Sequence, residues 1–535
     1  MLTQKTGSTF LKGAAILAIS NIIVKIIGMV FRVPLTNLVG DYTMGLYSVA
    51  YRYYSILLTI ATAGLPIAIS KMISESRALG RYRESRRIFR IALASCAALG
   101  GAGALFLALG ANPLAGLSNS PEAATSILTL APAVLFIAVA AAYRGYFQGH
   151  NNMAPTAASQ VLEALSRLFV GLLLASLLIR LGHPDRMVAA GTVGGITVGT
   201  GAAALLLFII SLCLRRRYHM IPDGAVNEMR TRGEIFRALM YIAIPVTVGA
   251  LVINLTNSID MFLVTNRLAV LGYDHEQTTS LFGIYDNYAV PLFNLVPAII
   301  ISLNVSITPV IAAAHVRGDH DGMIGTLTSA LRLVVMISLP AAIGISVLSE
   351  PILTLLYKAE ASVAIATPVL TIMSIASVFL CISSLTSTVL QALGKPMIPV
   401  MTMAAGAVVK IAANYFLVAI PGIELNGAAL GTVLCYLVIS VANLIYLARF
   451  IQFKPGFGRT YLRPLAATLV MGAIVYCIYR FGRGALGGIP ALGVSIVVGA
   501  LCYGVVLLLV GGVTRADVVL LPKGEKLANL LRLKK

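Results

Sequence analysis

Long apolar runs, separated by short polar stretches, recur along this chain from end to end. A helix needs about 20 apolar residues to cross a bilayer. By that measure the pattern predicts about 14 spanning segments: 10–33, 45–73, 88–110, 123–147, 156–181, 188–214, 236–268, 280–312, 324–349, 362–391, 397–420, 427–452, 463–482 and 490–512. Arg52 and Pro291 interrupt the second and the eighth. The loops between segments alternate in charge. Arg77, Arg81, Arg83, Arg86 and Arg87 follow segment two, and Arg215, Arg216, Arg217, Arg230 and Arg232 follow segment six. Lys454, Arg459 and Arg463 follow segment twelve, and Lys523, Lys526, Arg532, Lys534 and Lys535 lie in the tail. The intervening loops are poorer in basic residues and partly acidic. Basic loops stay on the cytoplasmic side, so an even number of spans with both termini cytoplasmic is expected.

The two halves repeat. Gly45-Leu46-Tyr47 opens segment two and Gly283-Ile284-Tyr285 opens segment eight. Gln148-Gly149 with Pro155 precedes segment five, and Gln391 with Gly394 and Pro399 precedes segment eleven. Arg167 and Lys410 follow those prolines by about three helical turns. An offset of about 240 residues keeps an even number of spans per repeat, so the repeats run parallel. The fold class expected is an all-α polytopic membrane protein of about 14 transmembrane helices. Two pseudo-symmetric six-helix lobes would flank a central cleft, with two extra C-terminal helices. The expected divisions are 1–220, 221–455 and 456–535.

Composition agrees: 58% of the 535 residues are hydrophobic and 11% charged. The net charge of +20 does not point to nucleic acid, because the basic residues cluster beside the spans, where anionic lipid lies. The six cysteines (Cys96, Cys213, Cys381, Cys435, Cys477 and Cys502) sit singly in apolar stretches. They are expected to be small core residues rather than metal ligands. No hydrolase, metalloprotease or nucleotide-binding motif occurs, so no enzyme and no cofactor are expected.

Charges inside the spans carry the candidate chemistry, since burying each one costs at least ~2.5–3.5 kcal/mol. Asn21, Lys25, Gly28 and Arg32 share one helix face. Arg52 lies in segment two, Glu163 and Arg167 in segment five, and Lys410 in segment eleven. Asp260 closes a polar stripe with Asn254 and Asn257, and Asp286 opens segment eight. Glu163 and Arg167, four residues apart, are placed to pair. Cations outnumber carboxylates, which an internally balanced network would avoid. An anion site is therefore expected, and the planar fork of arginine suits a phosphate.

The run Arg144-Gly145-Tyr146-Phe147-Gln148-Gly149 through Pro155, Gln160 and Glu163, with Gly64-Leu65-Pro66 and Lys25…Arg32, resembles the SpoVB/YtgP-type polysaccharide biosynthesis proteins. These are members of the multidrug/oligosaccharidyl-lipid/polysaccharide exporter (MOP) superfamily, relatives of the MurJ-type lipid II flippases. The resemblance implies a transporter of the bacterial cytoplasmic membrane with alternating access. Its implied cargo is lipid II or a related undecaprenyl-pyrophosphate glycan, with the peptidoglycan synthesis machinery as a candidate partner. Lys25 and Arg32 match two basic positions of the first helix of those flippases with one residue of extra spacing, and Arg52 matches one in the second. The arginine of their eighth helix has no counterpart between Tyr285 and Pro309. The pyrophosphate-binding set expected is Lys25, Arg32 and Arg52, with Arg167, Lys410 and Asn21 as secondary cavity residues. Asp260 and Glu163 are the candidates for coupling to a sodium ion or proton. The alternatives are a drug/cation antiporter of the same fold, which would want an acidic cavity, and an envelope-assembly scaffold without transport.

Overall fold

With no water in the bilayer core to bond the backbone, each apolar run must satisfy its peptide groups internally, and a helix does so. The computed structural model describes residues 2–219, 230–453 and 456–514, and every regular element among them is helical. Lys454 and the tail lysines and arginines lie outside the described residues, as do the side chains of Asn257 and of Arg215, Arg216 and Arg217.

The chain forms two compact units, Met1–Gly283 and Ile284–Lys535. The first carries α1 (Leu2–Thr62), α2 (Leu65–Ala78), α3 (Tyr82–Leu117), α4 (Ala123–Gly149), α5 (Ala154–Arg180), α6 (Asp185–His219), α7 (Arg232–Val270) and α8 (His275–Ile284). The second carries α9 (Val290–Phe293), α10 (Leu295–Val316), α11 (His320–Val347), α12 (Ser349–Leu356), α13 (Glu360–Ala392), α14 (Met397–Leu417), α15 (Leu425–Phe450), α16 (Arg463–Leu486) and α17 (Gly488–Leu509). α7 packs against α1, α2 and α3, so the compact unit ends after the repeat boundary expected at 220/221.

Twelve helices among the described residues are long and apolar enough to cross a membrane. The first two expected segments share α1, whose backbone turns at Gly40 (φ 80°, ψ 175°). That conformation is open to glycine and strained for other residues. The eighth segment is divided among α8, a π-helical turn at Tyr285–Ala289, α9 and α10, with Pro291 in the first turn of α9. All five residues of the π turn are buried. Asp286, placed by the sequence near the start of the segment, is 1% exposed. Tyr357 stacks on Tyr288 at 4.0 Å and donates its hydroxyl to the Asn287 carbonyl at 2.7 Å. Outside that turn, a capping box starts α7: Thr231 Oγ1 accepts from Glu234 N, and Thr231 N donates to Glu234 Oε2.

In the first unit α4 is the central helix, packed on α1, α2, α3 and α6. Ala138, Ala140, Ala141 and Ala142 are fully buried on it. A Cβ at Gly145 would meet Ile69 and the Pro66 backbone, and one at Gly149 would meet Ile73. Thus the stretch 144–149 closes directly on the stretch 64–73. In the second unit α11, α13 and α10 enclose Ile300, Leu327, Leu331, Val334 and Leu385. Asn443 of α15 accepts from Thr402 at 2.7 Å and donates to Thr386 and Ser387 at 3.2 and 3.0 Å. Such interhelical polar contacts hold spans together where lipid offers no hydrophobic contrast. Cys96, Cys381 and Cys435 are buried as expected, but Cys213 and Cys477 are exposed. Those two face outward from helices whose outer surfaces are apolar, a position that an apolar sequence context alone does not distinguish from the core.

The repeat-equivalent glycines meet each other. A Cβ on Gly283 would lie 2.3 Å from the Asp41 carbonyl oxygen and 3.0 Å from Gly45 Cα, and one on Gly45 would lie 2.1 Å from the Thr279 carbonyl oxygen. Backbone atoms cannot retreat as a side-chain tip can, so Gly283→Ala is expected to lower the apparent Tm of the detergent-purified protein by the equivalent of about 1–3 kcal/mol. Gly28→Ala, with nothing within 4 Å, is expected to leave it unchanged. Equal Tm values for the Gly283 variant and the unaltered protein would contradict the close crossing.

Candidate functional site

Inside the first unit lies a cavity of about 350 Å³. Its apolar wall comes from α1 through Val24, Ile27 and Phe31, and from α4 through Ile137 and Ala141. Its polar wall is built by α4 and α5, which present Arg144, Gln148, Thr156, Gln160, Glu163 and Arg167. Five of these six fall within the stretch 144–163. Helical spacing puts Gln148 one turn beyond Arg144, and Thr156, Gln160, Glu163 and Arg167 along one face of α5.

Arg144 and Glu163 form the fixed part of this wall. Arg144 Nη2 donates to Glu163 Oε2 at 2.9 Å, and its Nε donates to Ser159 Oγ at 3.0 Å. Ser159 in turn donates to the Thr156 carbonyl at 2.8 Å. The guanidinium is 9% exposed, so the carboxylate offsets a charge whose burial unpaired would cost several kcal/mol. The expected Glu163–Arg167 pair is therefore replaced: the carboxylate of α5 reaches across to α4, where Arg144 needs it more.

Arg167 is compensated differently. Its guanidinium lies over the Tyr51 ring at 4.9 Å, within cation–π range. Tyr47, Tyr51 and Tyr54 line one face of α1, with Tyr47 stacked on Tyr51 at 6.0 Å and 7° and Tyr54 tilted against it. Arg32 and Arg52 also act electrostatically on Tyr51. Arg167 is the guanidinium that lies over the Tyr51 ring. The two charged side chains on α5 that line the cavity are Glu163, held by Arg144, and Arg167.

From the expected set, Glu163 and Arg167 line the cavity, whereas Arg32 and Arg52, on α1, are not among its lining residues. Lys25 and Asn21 are exposed on α1 and are not in the cavity wall. Asp260 is buried on α7 outside that wall. Nearby on the same helix, Asn254 donates to Thr59 Oγ1 at 2.6 Å. Lys410 belongs to the second unit, 3% exposed on α14. Arg144 and the tyrosine face escaped the sequence reading. Arg144 was visible as a charge inside the segment 123–147, and the spacing 47, 51, 54 as a helical face. His150, just beyond α4, donates from Nδ1 to the Tyr146 carbonyl at 2.9 Å. Burial, aided by the Arg77 charge, lowers its pKa to about 4, so it adds no positive charge at neutral pH.

Residues 10–315 match the family model described as polysaccharide biosynthesis protein, and residues 287–416 match the MatE model. The chain is 27% identical over 533 residues to the uncharacterized membrane protein YabM of Bacillus subtilis, covering 97% of this chain and 96% of that protein. It is 25% identical over 497 residues to the lipid II flippase MurJ of Bacillus subtilis, covering 90% of each. Among solved structures it resembles the lipid II flippase MurJ in an inward closed conformation (TM-score 0.66, 15% identity, 91% of this chain and 97% of that one). It also resembles an inward-facing multidrug resistance MATE family transporter of the MOP superfamily (TM-score 0.64, 15% identity, 81% and 98%). These two structures share the fold. The family model spans more than half of the 535 residues, and the chain belongs to the polysaccharide biosynthesis protein family, as an all-helical, multi-span membrane protein with the fold of MurJ and the MATE transporters.

Proposed function

We propose that this protein is a flippase for an undecaprenyl-pyrophosphate-linked glycan, lipid II or a close relative, in the bacterial cytoplasmic membrane. The observation that carries this is the excess of positive charge in a cavity wall where Arg167 lies over Tyr51 and Glu163 is already held by Arg144, with Arg32 and Arg52 on α1, the helix that forms the apolar wall. A cluster with that excess favours a multiply charged anion, and guanidinium groups bind pyrophosphate oxygens in pairs. The full-length similarity to a lipid II flippase supports a lipid-linked cargo. The same net positive charge counts against a drug/cation antiporter.

In this mechanism the lobes alternate access across a cleft, with both termini cytoplasmic. Arg167, Arg32 and Arg52 capture the pyrophosphate, Lys25 and Asn21 extend the cationic face of α1, and Lys410 serves the other lobe. The glycan enters the polar space while the prenyl chain stays in lipid. An inside-negative potential favours outward movement of the anion by about 2.3 kcal/mol per charge per 100 mV. Glu163 is committed to Arg144, so any coupling to a sodium ion or proton falls to Asp260. The product would feed the peptidoglycan or a related envelope-synthesis machinery on the outer face.

Arg167→Ala is expected to weaken binding of lipid II to the purified protein by roughly tenfold or more, the loss of one charge-assisted contact; titration in native mass spectrometry measures it, and unchanged affinity would remove Arg167 from the site. Glu163→Gln is expected to act on the fold instead. It leaves the Arg144 guanidinium without its carboxylate and lowers stability by roughly 1–3 kcal/mol. Arg144→Met/Glu163→Leu, which removes both partners, is expected to recover most of that loss in the same thermal assay.

A further inference from the structure

The second unit holds a cavity that the proposed function does not use. It measures about 520 Å³ and is lined by Gly322, Gly325, Thr326, Thr328, Ser329 and Arg332 of α11, closed by Thr514 beyond α17. Arg332 is 9% exposed, and its Nη1 donates to Thr514 Oγ1 at 3.0 Å. The lining thus offers one guanidinium, four hydroxyls and two glycines; the Asp319 carboxylate beside Gly322 is engaged as the α11 cap, accepting from Gly322 N at 2.9 Å. Its walls are fixed. Tyr503 of α17 donates to the Met336 carbonyl at 2.8 Å, Leu333 and Met336 pack with Ala467 and Leu507, and Arg463 donates to the Gly511 carbonyl at 2.6 Å.

A guanidinium three turns inside a spanning helix, set among hydroxyls, is built to meet oxygen atoms of an anion. Gly325 has open space beside it on the helix, whereas the space beside Gly322 is taken by the Asp319 side chain. α11 and α17 are both long and apolar enough to span a membrane, so phospholipid headgroups are the phosphate-bearing groups in reach of the pocket. We infer that Arg332, Ser329, Thr326 and Thr514 form a binding site for a phosphate group, separate from the cavity of the first unit, and that its occupant is the headgroup of an anionic phospholipid.

The full-length protein in detergent would be titrated with phosphatidylglycerol, with phosphatidylcholine of the same acyl chains, and with inorganic phosphate. Bound lipid is read by native mass spectrometry and apparent Tm by thermal unfolding. The expected result is retention of phosphatidylglycerol over phosphatidylcholine, reduced roughly tenfold or more in Arg332→Ala. Thr326→Val/Ser329→Ala keeps the guanidinium and is expected to lose roughly threefold, so the site stays testable if the arginine variant fails to fold. A Tm rise with phosphate alone, equal to that with phosphatidylglycerol, would assign the site to the free anion and overturn the lipid occupant. No preference between the two lipids, or a preference unchanged in both variants, would overturn the site. Lipid II binding is expected to be the same in these variants as in the unaltered protein, which separates this site from the proposed transport cavity.

Discussion

The function proposed for this protein depends on how the first unit compensates the positive charge it buries. Arg144 on α4 takes Glu163 of α5 as its partner, at 2.9 Å. That one contact joins the two helices that build the polar wall of the cavity. It also commits the carboxylate that four-residue spacing had offered to Arg167. Arg167 is then held by the face of Tyr51, a partner that stabilises a cation without cancelling its charge. A carboxylate partner would have left a neutral wall. The aromatic partner leaves a positive one.

The close packing around that wall comes from small residues. Gly145 and Gly149 let α2 settle on α4, and Gly195 and Gly199 of α6 lie against the backbone of α5 at Gly171 and Glu163. Van der Waals contact and polar bonds, rather than hydrophobic contrast, hold helices together in lipid. The same helices that bring the charges together are therefore the ones whose surfaces are stripped to glycine and alanine.

Much of this was legible in the chain. The apolar runs located most of the helices, because span length is fixed by bilayer thickness. Pro291 marked the broken eighth segment, and the resemblance over 144–163 marked the stretch that lines the cavity. Partner choice was not legible. The spacing of Glu163 and Arg167 described one helix, whereas the pair that forms spans two helices. Arg144, quoted only as part of the family-like run, and Arg332 were not counted among the charges of the spans, and both prove to be buried arginines that line cavities. The outward placement of Cys213 and Cys477 depends on neighbours that a linear pattern does not contain.

The central claim is that the positive charge of the first unit captures a pyrophosphate. It is tested most directly by comparing three ligands with the same prenyl chain: undecaprenyl pyrophosphate, undecaprenyl monophosphate and neutral undecaprenol. Their affinities for the purified protein would be measured at fixed, low ionic strength. The account predicts tightest binding for the pyrophosphate, weaker for the monophosphate and weakest for the alcohol, with the differences shrinking as salt screens the site. Equal affinity for all three would contradict it and would leave Arg167 over Tyr51 with a structural role alone.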